Sequence, residues 1–356
     1  MKIAIIKLSS LGDVIHALPV AHALRRRFPN SHLTWFVEAR VAPLLNDHPD
    51  LDAVVAVDTR RWRRLLRNLS GAGEVWESFG AFSRRLRDSR FDVAIDLQGL
   101  VKSGLLTAFT GAPIRIGFTL PRCRESLNAL FTNHRVSPPP EAVHVVEEYL
   151  SLLTPLGVED RRPVFHLPQS PVAEHAIDTF LAEQGLKPED RLVALNPGAG
   201  RPEKRWPLTH FRRLAERLAM EAGCRVLILW GPAEMGLASL LGRGLTPRPV
   251  LAPPTGLPEL AALFRRCALV VAADTGPLHL AAALATPALG LYGPTRATRN
   301  GPYGPRCRGL QSPDGKMAAL AADQVFSVAA ELLDGSASAS SSATPAAGSR
   351  LARGSR

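Results

Sequence analysis

The stretch 269–295, LVVAADTGPLHLAAALATPALGLYGPT, constrains the fold more than any other part of the chain. It reads as strand, sharp turn, helix, strand and loop. Leu269, Val270 and Val271 form a short apolar, largely β-branched run. Such runs belong to strands buried on both faces, as in parallel sheets covered by helices. Asp274-Thr275-Gly276-Pro277 breaks the run. Thr275 suits a helix cap, Gly276 permits close backbone approach, and Pro277 suits a first helical turn. Leu280, Ala283 and Leu284 supply an apolar helix face, and 288–292 returns to strand. A turn of this kind leaves backbone N–H groups free at the positive end of a helix, where an anion is stabilised. Asp274 and His279 flank it, and a second polar loop, Tyr292-Gly293-Pro294-Thr295, ends the next strand. Ligands of open α/β sheets sit at such strand ends.

The same alternation runs through the whole chain. The first half predicts strands over 3–6, 32–37, 53–57, 91–97 and 114–117, with helices over 14–27 and 141–153. Strands alternating with helices mean a doubly wound parallel sheet. The first loop, 8–13, has neither GxGxxG nor a P-loop Gly-Lys-Ser/Thr, which argues against a dinucleotide or Walker-type site. It does hold Asp13, which has two readings. It is a first-turn carboxylate favoured by the helix dipole, or a general base held on a rigid element and aimed at an acceptor hydroxyl. Arg60, Arg61, Arg63 and Arg64 cluster around Trp62, and Lys102, Arg122 and Arg124 follow near later strand ends. They form either a solvated basic face or a set of forks matched to phosphates and carboxylates.

The segment 161–172 is Pro-rich and lacks helical periodicity, so it reads as an interdomain linker between a domain over 1–160 and another over 173–334. The second half restarts with a strand over 192–195 and the loop NPGAGRPEKRWP. There the backbone of Ala199 and Gly200, with the ammonium of Lys204, can wrap a pyrophosphate. A helix marked by Phe211, Leu214, Ala215 and Leu218 follows, then a strand over 226–230, whose following loop carries Glu234. Glu234 is either an acceptor for a ribose hydroxyl or a surface charge. Helices are expected over 258–266 and 318–333. The tail 335–356 is Ser-, Ala- and Gly-rich with three arginines, a composition expected to stay disordered.

At 356 residues and 46% hydrophobic, the chain can build two cores. A net charge of +11 points to acidic partners: nucleic acid, anionic lipid or a phosphorylated substrate. No RRM, KH or helix-turn-helix signature is present, and the arginines are not interleaved with exposed aromatics, so nucleic acid is not expected. The four cysteines form no CxxC pair, which points to a reducing compartment without zinc or disulfides. No leader-like run and no apolar stretch of about 20 residues is found, so a cytoplasmic chain is expected, peripheral to a membrane at most. Without an Asp-x-Asp motif, no metal-bridged pyrophosphate, and no cofactor, is indicated.

Ser9-Ser10-Leu11-Gly12-Asp13, NPGAGRPEKRWP and ADTGPLHLAAAL…LYGPT together resemble the bacterial family-nine glycosyltransferases, the lipopolysaccharide heptosyltransferases. TRRWRR and DLQGLVKSGLL are similar to the heptosyltransferase I branch in particular. The resemblance runs in order from residue 1 to about residue 333. It implies a GT-B fold, an ADP-L-glycero-D-manno-heptose donor held by the second domain, and a Kdo-lipid A acceptor held by the first at the cytoplasmic face of the inner membrane. It implies inverting transfer with Asp13 as general base, and a pyrophosphate stabilised by Lys204, Thr275, Gly276 and the helix behind them. By the same resemblance Asp274 contacts the sugar, His279 lies close to the donor and Glu234 binds the ribose. Ala199 and Gly200 stand where some family members carry paired threonines. Ser10, Arg60, Arg61, Arg63, Arg64, Lys102, Arg122 and Arg124 would bind the acceptor. The alternatives are a second or later heptosyltransferase, a sugar-nucleotide epimerase on the same scaffold, and a nucleic-acid-binding protein. The first-half arginines favour the more anionic Kdo acceptor.

Overall fold

The computed structural model describes residues 1–58, 84 and 86–335. Arg60, Arg61, Arg63 and Arg64 lie outside the described residues, as does the tail from 336. Among the described residues the strands form two six-stranded sheets, every pairing parallel. The first contains β1 (Lys2–Ile6), β2 (His32–Glu38), β3 (Ala53–Val57), β4 (Val93–Asp96), β5 (Ile114–Phe118) and β6 (His134–Val136), in the order β3-β2-β1-β4-β5-β6. The second contains β7 (Leu192–Asn196), β8 (Arg225–Ile228), β9 (Val250–Leu251), β10 (Leu269–Ala273), β11 (Ala288–Tyr292) and β12 (Cys307–Gln311). Its order, β12-β11-β10-β7-β8-β9, repeats the first sheet's when read from β9. Strand order therefore reverses beside β1 and β4 in one half and beside β7 and β10 in the other. Those are the points where doubly wound sheets open a crevice at the strands' carboxyl ends. Two Rossmann-like halves facing across a cleft make this a GT-B fold.

Burial explains the inner strands. Ile3, Ala4, Ile5 and Ile6 of β1 are wholly buried, and β7 and β10 are buried along their full length. Two strands at sheet edges, β6 and β12, escaped the sequence reading because they are not apolar runs, whereas the edge strand β3, AVVAV, was legible. β6 reads HRV and β12 reads CRGLQ, and both are placed by hydrogen bonds to a neighbour. The helix Pro171–Glu183 begins inside the expected linker: Pro171 takes a first-turn position and Ser170 Oγ accepts the N–H of Ala173 at 3.3 Å. The stretch before it, 159–170, has neither helix nor strand. The first helix spans Leu11–Arg27 and starts earlier than expected. Asp13 therefore sits within its first turn, at the carboxyl end of the central strand and at the edge of the cleft.

Candidate active site

The wall contributed by the first half is built around Asp13. Its Oδ2 accepts the Ser10 N–H at 3.0 Å and the Ser10 hydroxyl at 2.9 Å, which fixes the carboxylate on the helix end. Its Oδ1 accepts from Arg124 Nη2 at 3.0 Å and lies 3.5 Å from the Tyr149 hydroxyl. Burial pushes the Asp13 pKa up, but the Lys7 ammonium, then Arg124 and the two Ser10 bonds outweigh it and bring the value to about 2. Asp13 is therefore ionised at neutral pH. Lys7 is wholly buried behind it, donating to Leu97 O at 2.9 Å and to the Tyr149 hydroxyl at 2.6 Å. Burial lowers its pKa to about 8, with the Asp13 charge opposing. Lys7→Met should therefore shift the acid limb of a kcat/KM profile upward, towards an ordinary carboxylate value. An unmoved acid limb would show that Lys7 does not act on Asp13.

The opposite wall is the turn after β10. Asp274 Oδ2 accepts from Lys204 Nζ at 2.6 Å, and Asp274 Oδ1 lies 3.1 Å from His279 Nε2. Burial opposes ionisation of Asp274, yet His279 and Lys204 hold it below the usual carboxylate range. Thr275 occupies the position before the Gly276–Ala283 helix, but its hydroxyl donates to Ala273 O at 3.1 Å instead of capping the helix. The expected side-chain cap is absent, and the first-turn N–H groups receive no side-chain cap bond.

The two walls enclose a polar cavity of about 230 Å³, lined by Ser10, Asp13 and Arg124 from one half and Lys204, Asp274, Thr275 and His279 from the other. A second cavity of about 750 Å³ opens beside it, lined by Gly198, Ala199, Gly200, Trp230, Glu234 and Leu257. Thr275 and Gly276 line both. Glu234 Oε2 accepts the Gly231 N–H at 3.0 Å and lies against Gly198, where an added Cβ would collide with that oxygen. An apolar chamber, a helix amino end and a small polar chamber thus follow one another. The arrangement suits a ligand with a flat apolar end, a central diphosphate and a polar end.

The structure does not bring every candidate into this cleft. Lys102 Nζ faces Glu38 at 3.5 Å and Arg122 faces Glu148 at 3.7 Å, and neither lines either cavity. Sequence reasoning missed His16 and Arg299, which do line the polar chamber. His16 lies on the buried face of the first helix and reads as a core residue. Its ring packs 4.2 Å from that of His279, and burial pushes its pKa well below the usual histidine value. Arg299 reaches across the halves to Glu148 at 2.7 Å.

Glycines let the two helix ends meet. A Cβ on Gly12 would lie 2.6 Å from His279 Cδ2, and one on Gly276 would lie 2.6 Å from Leu11 Cδ2. Gly12→Ala should therefore cost about 1–3 kcal/mol of stability by overpacking. Calorimetry checks this, and an unchanged Tm would mean that His279 yields freely.

The family model described as glycosyltransferase family 9 (heptosyltransferase) matches residues 79–328. The lipopolysaccharide heptosyltransferase 1 of Pseudomonas aeruginosa is 35% identical over 305 residues, 85% of this chain and 82% of that protein. The lipopolysaccharide heptosyltransferase 2 of Salmonella typhimurium is 30% identical over 306 residues, 83% of each. The solved structure of E. coli heptosyltransferase WaaC with ADP matches at a TM-score of 0.77 and 29% identity, covering 93% of this chain and 100% of that one. The same enzyme with ADP-2-deoxy-2-fluoro heptose matches at 0.75 and 28% identity, covering 93% and 99%. With a family match running from the middle of the first half into the last helix, and the same two-sheet architecture in a solved relative, the chain belongs to glycosyltransferase family 9, the heptosyltransferases, and is a glycosyltransferase.

Proposed function

We propose that the protein transfers heptose, with inversion, from ADP-L-glycero-D-manno-heptose to the Kdo of Kdo-lipid A in synthesis of the lipopolysaccharide inner core. One observation carries the reading: an ionised, doubly anchored Asp13 faces, across a cavity of about 230 Å³, a helix amino end without a side-chain cap beside Lys204. The adenosine occupies the larger chamber with Glu234 accepting from the ribose. The diphosphate rests on the backbone of Ala199 and Gly200, the N–H groups at Thr275 and Gly276, and Lys204. The heptose lies against Asp274 and His279. Asp13 accepts the proton of a Kdo hydroxyl as that oxygen attacks the anomeric carbon from the face opposite ADP. The bond to the diphosphate breaks, and the charge gathering on it is stabilised by fixed N–H dipoles and one ammonium. The proposed reaction uses no metal or cofactor, because Lys204 and the helix end supply the positive charge.

A pKa of about 2 makes Asp13 a weak base while Arg124 is bonded to it. An acceptor carboxylate drawing Arg124 away would raise the basicity of Asp13 as the hydroxyl arrives. Ser10 and Arg124 line the polar chamber beside Asp13, which supports a part for both in holding this acceptor. Arg60, Arg61, Arg63 and Arg64 belong to the same half, as do Lys102 and Arg122 on its surface.

The same half also carries exposed leucines. Leu120, Leu127 and Leu130 are 55%, 63% and 69% exposed, close in sequence to Arg122 and Arg124. Leu127 and Leu130 are three apart in a 3₁₀ segment and so stand one above the other. Apolar side chains with adjacent guanidinium groups suit an anionic membrane surface, which supports uptake of a lipid-linked acceptor by a cytoplasmic protein peripheral on the inner membrane. Among the described residues no helix is long and apolar enough to cross a membrane.

Heptosyltransferase I is preferred over a later heptosyltransferase because of the TRRWRR and DLQGLVKSGLL stretches and the higher identity to the P. aeruginosa relative. Mass spectrometry after incubation with ADP-heptose and either Kdo-lipid A or its heptosylated form decides between them. One heptose added to Kdo-lipid A is expected. Addition to the heptosylated acceptor alone would assign the later step, and conversion of ADP-heptose without acceptor would point to an epimerase.

A further inference from the structure

We propose that His22, Asp50 and His166 form a site for one divalent ion of the zinc class, separate from the catalytic cleft, which pins the interdomain segment to the first half. The three residues come from separate parts of the chain: the first helix, the loop before β3, and the extended segment joining the halves. Their ligand atoms all lie within 4.8 Å of one another. His166 Nδ1 is 2.7 Å and His22 Nδ1 is 3.5 Å from the same Asp50 Oδ2. The two imidazoles meet nearly edge-on, 4.6 Å apart at 82°, with both Nδ1 atoms turned towards that oxygen. Two imidazoles and a carboxylate at bond lengths of about 2.0–2.2 Å are a zinc donor set that keeps a fourth position for water. Small ring movements bring these atoms to that geometry.

Two further observations favour an ion over a plain ion pair. His22 Nδ1 is buried without a hydrogen-bond partner. A His166–Asp50 pair accounts for the 2.7 Å contact but leaves this nitrogen unsatisfied, and buried polar atoms are seldom left so. The main chain of Asp50 is also fixed, which sets where its carboxylate stands. Its N–H donates to His48 Nδ1 at 3.2 Å, and its carbonyl accepts from Arg25 Nε and Nη2 at 3.3 and 3.2 Å. Arg25 brings a positive charge near the site, but its Nη2 is paired with Asp52. The Asp50 side chain is 8% exposed and that of His166 39%, so the site has a buried floor and an open side for entry. No member of the trio lines either cavity of the cleft.

The test uses the full-length, untagged chain stripped with a chelator. Cobalt titration should give a visible d–d band saturating at one equivalent, zinc should displace it, and either ion should raise Tm. His22→Ala and His166→Ala should each weaken cobalt binding by about a hundredfold or more. Cys123→Ser should leave it unchanged, which excludes capture by the one cysteine among the described residues that is not fully buried. Absence of the band, its persistence in His166→Ala, or its loss in Cys123→Ser would each overturn the site. Asp50→Asn should abolish binding too. If that variant fails to fold, the part-exposed His166 carries the decision, since its removal leaves the core intact.

Discussion

Asp13→Asn should lower kcat by about two to four powers of ten while leaving ADP affinity nearly unchanged. The proposed base stands on the first-half wall of the polar chamber, and the proposed nucleotide chamber is lined mainly by the other half, with Leu11, Arg40 and Pro43 but not Asp13 from the first, so proton removal should be lost and donor binding spared. Stability provides an internal control. The Asp13 pKa in the fold is about 2, against an ordinary value of 3.8. The ionised group thus contributes stability that is present above the ordinary value and is lost as pH falls through about 2. In the Asp13→Asn variant that pH dependence disappears, and the capping contribution changes by about 1 kcal/mol. A collapse of kcat with modest change in the denaturation midpoint is the expected pattern. An unchanged kcat would remove Asp13 from the chemistry.

Lys204→Ala should depress donor binding and turnover together, with kcat down by about 10²–10³, the cost of removing one preorganised donor from a developing anion. Lys204 Nζ sits 2.6 Å from Asp274 Oδ2 at the amino end of the helix, so in the free enzyme its charge is held by a carboxylate. A diphosphate arriving there competes for the ammonium, and His279 keeps the other oxygen of Asp274 engaged at 3.1 Å. Lys204→Arg should recover part of the binding but less of the rate, because a planar fork replaces a point charge. Loss of stability with normal kcat and KM would mean that the Lys204–Asp274 pair only braces the loop.

How far the sequence carries depends on the residue. The stretch 269–295 names its own strand, turn and helix, because β10 and β11 are wholly buried and therefore apolar. β12, with arginine and glutamine in it, carries no such pattern and becomes a strand by pairing with β11. Asp13 and Asp274 were legible as polar residues at strand ends, where the doubly wound topology places ligands. That Thr275 turns its hydroxyl to a carbonyl, and that Lys102 and Arg122 pair with glutamates outside the cleft, depends on side-chain directions that spacing does not encode. His16 was hidden for the opposite reason: a histidine on a buried helix face looks like core until a second half is packed against it. The trio at His22, Asp50 and His166 has no motif at all, since its members are joined only by the folded path of the chain.

The proposed transfer requires a donor diphosphate seated in the second half, facing Asp13 of the first. A crystal structure of the protein with ADP tests this directly. The expected result places the diphosphate within hydrogen-bond reach of the N–H groups at Thr275 and Gly276 and of Lys204, with the adenine in the chamber lined by Trp230 and Leu257 and the outer phosphate turned towards Asp13. ADP bound among first-half strand ends, or a diphosphate lying away from that turn, would contradict it.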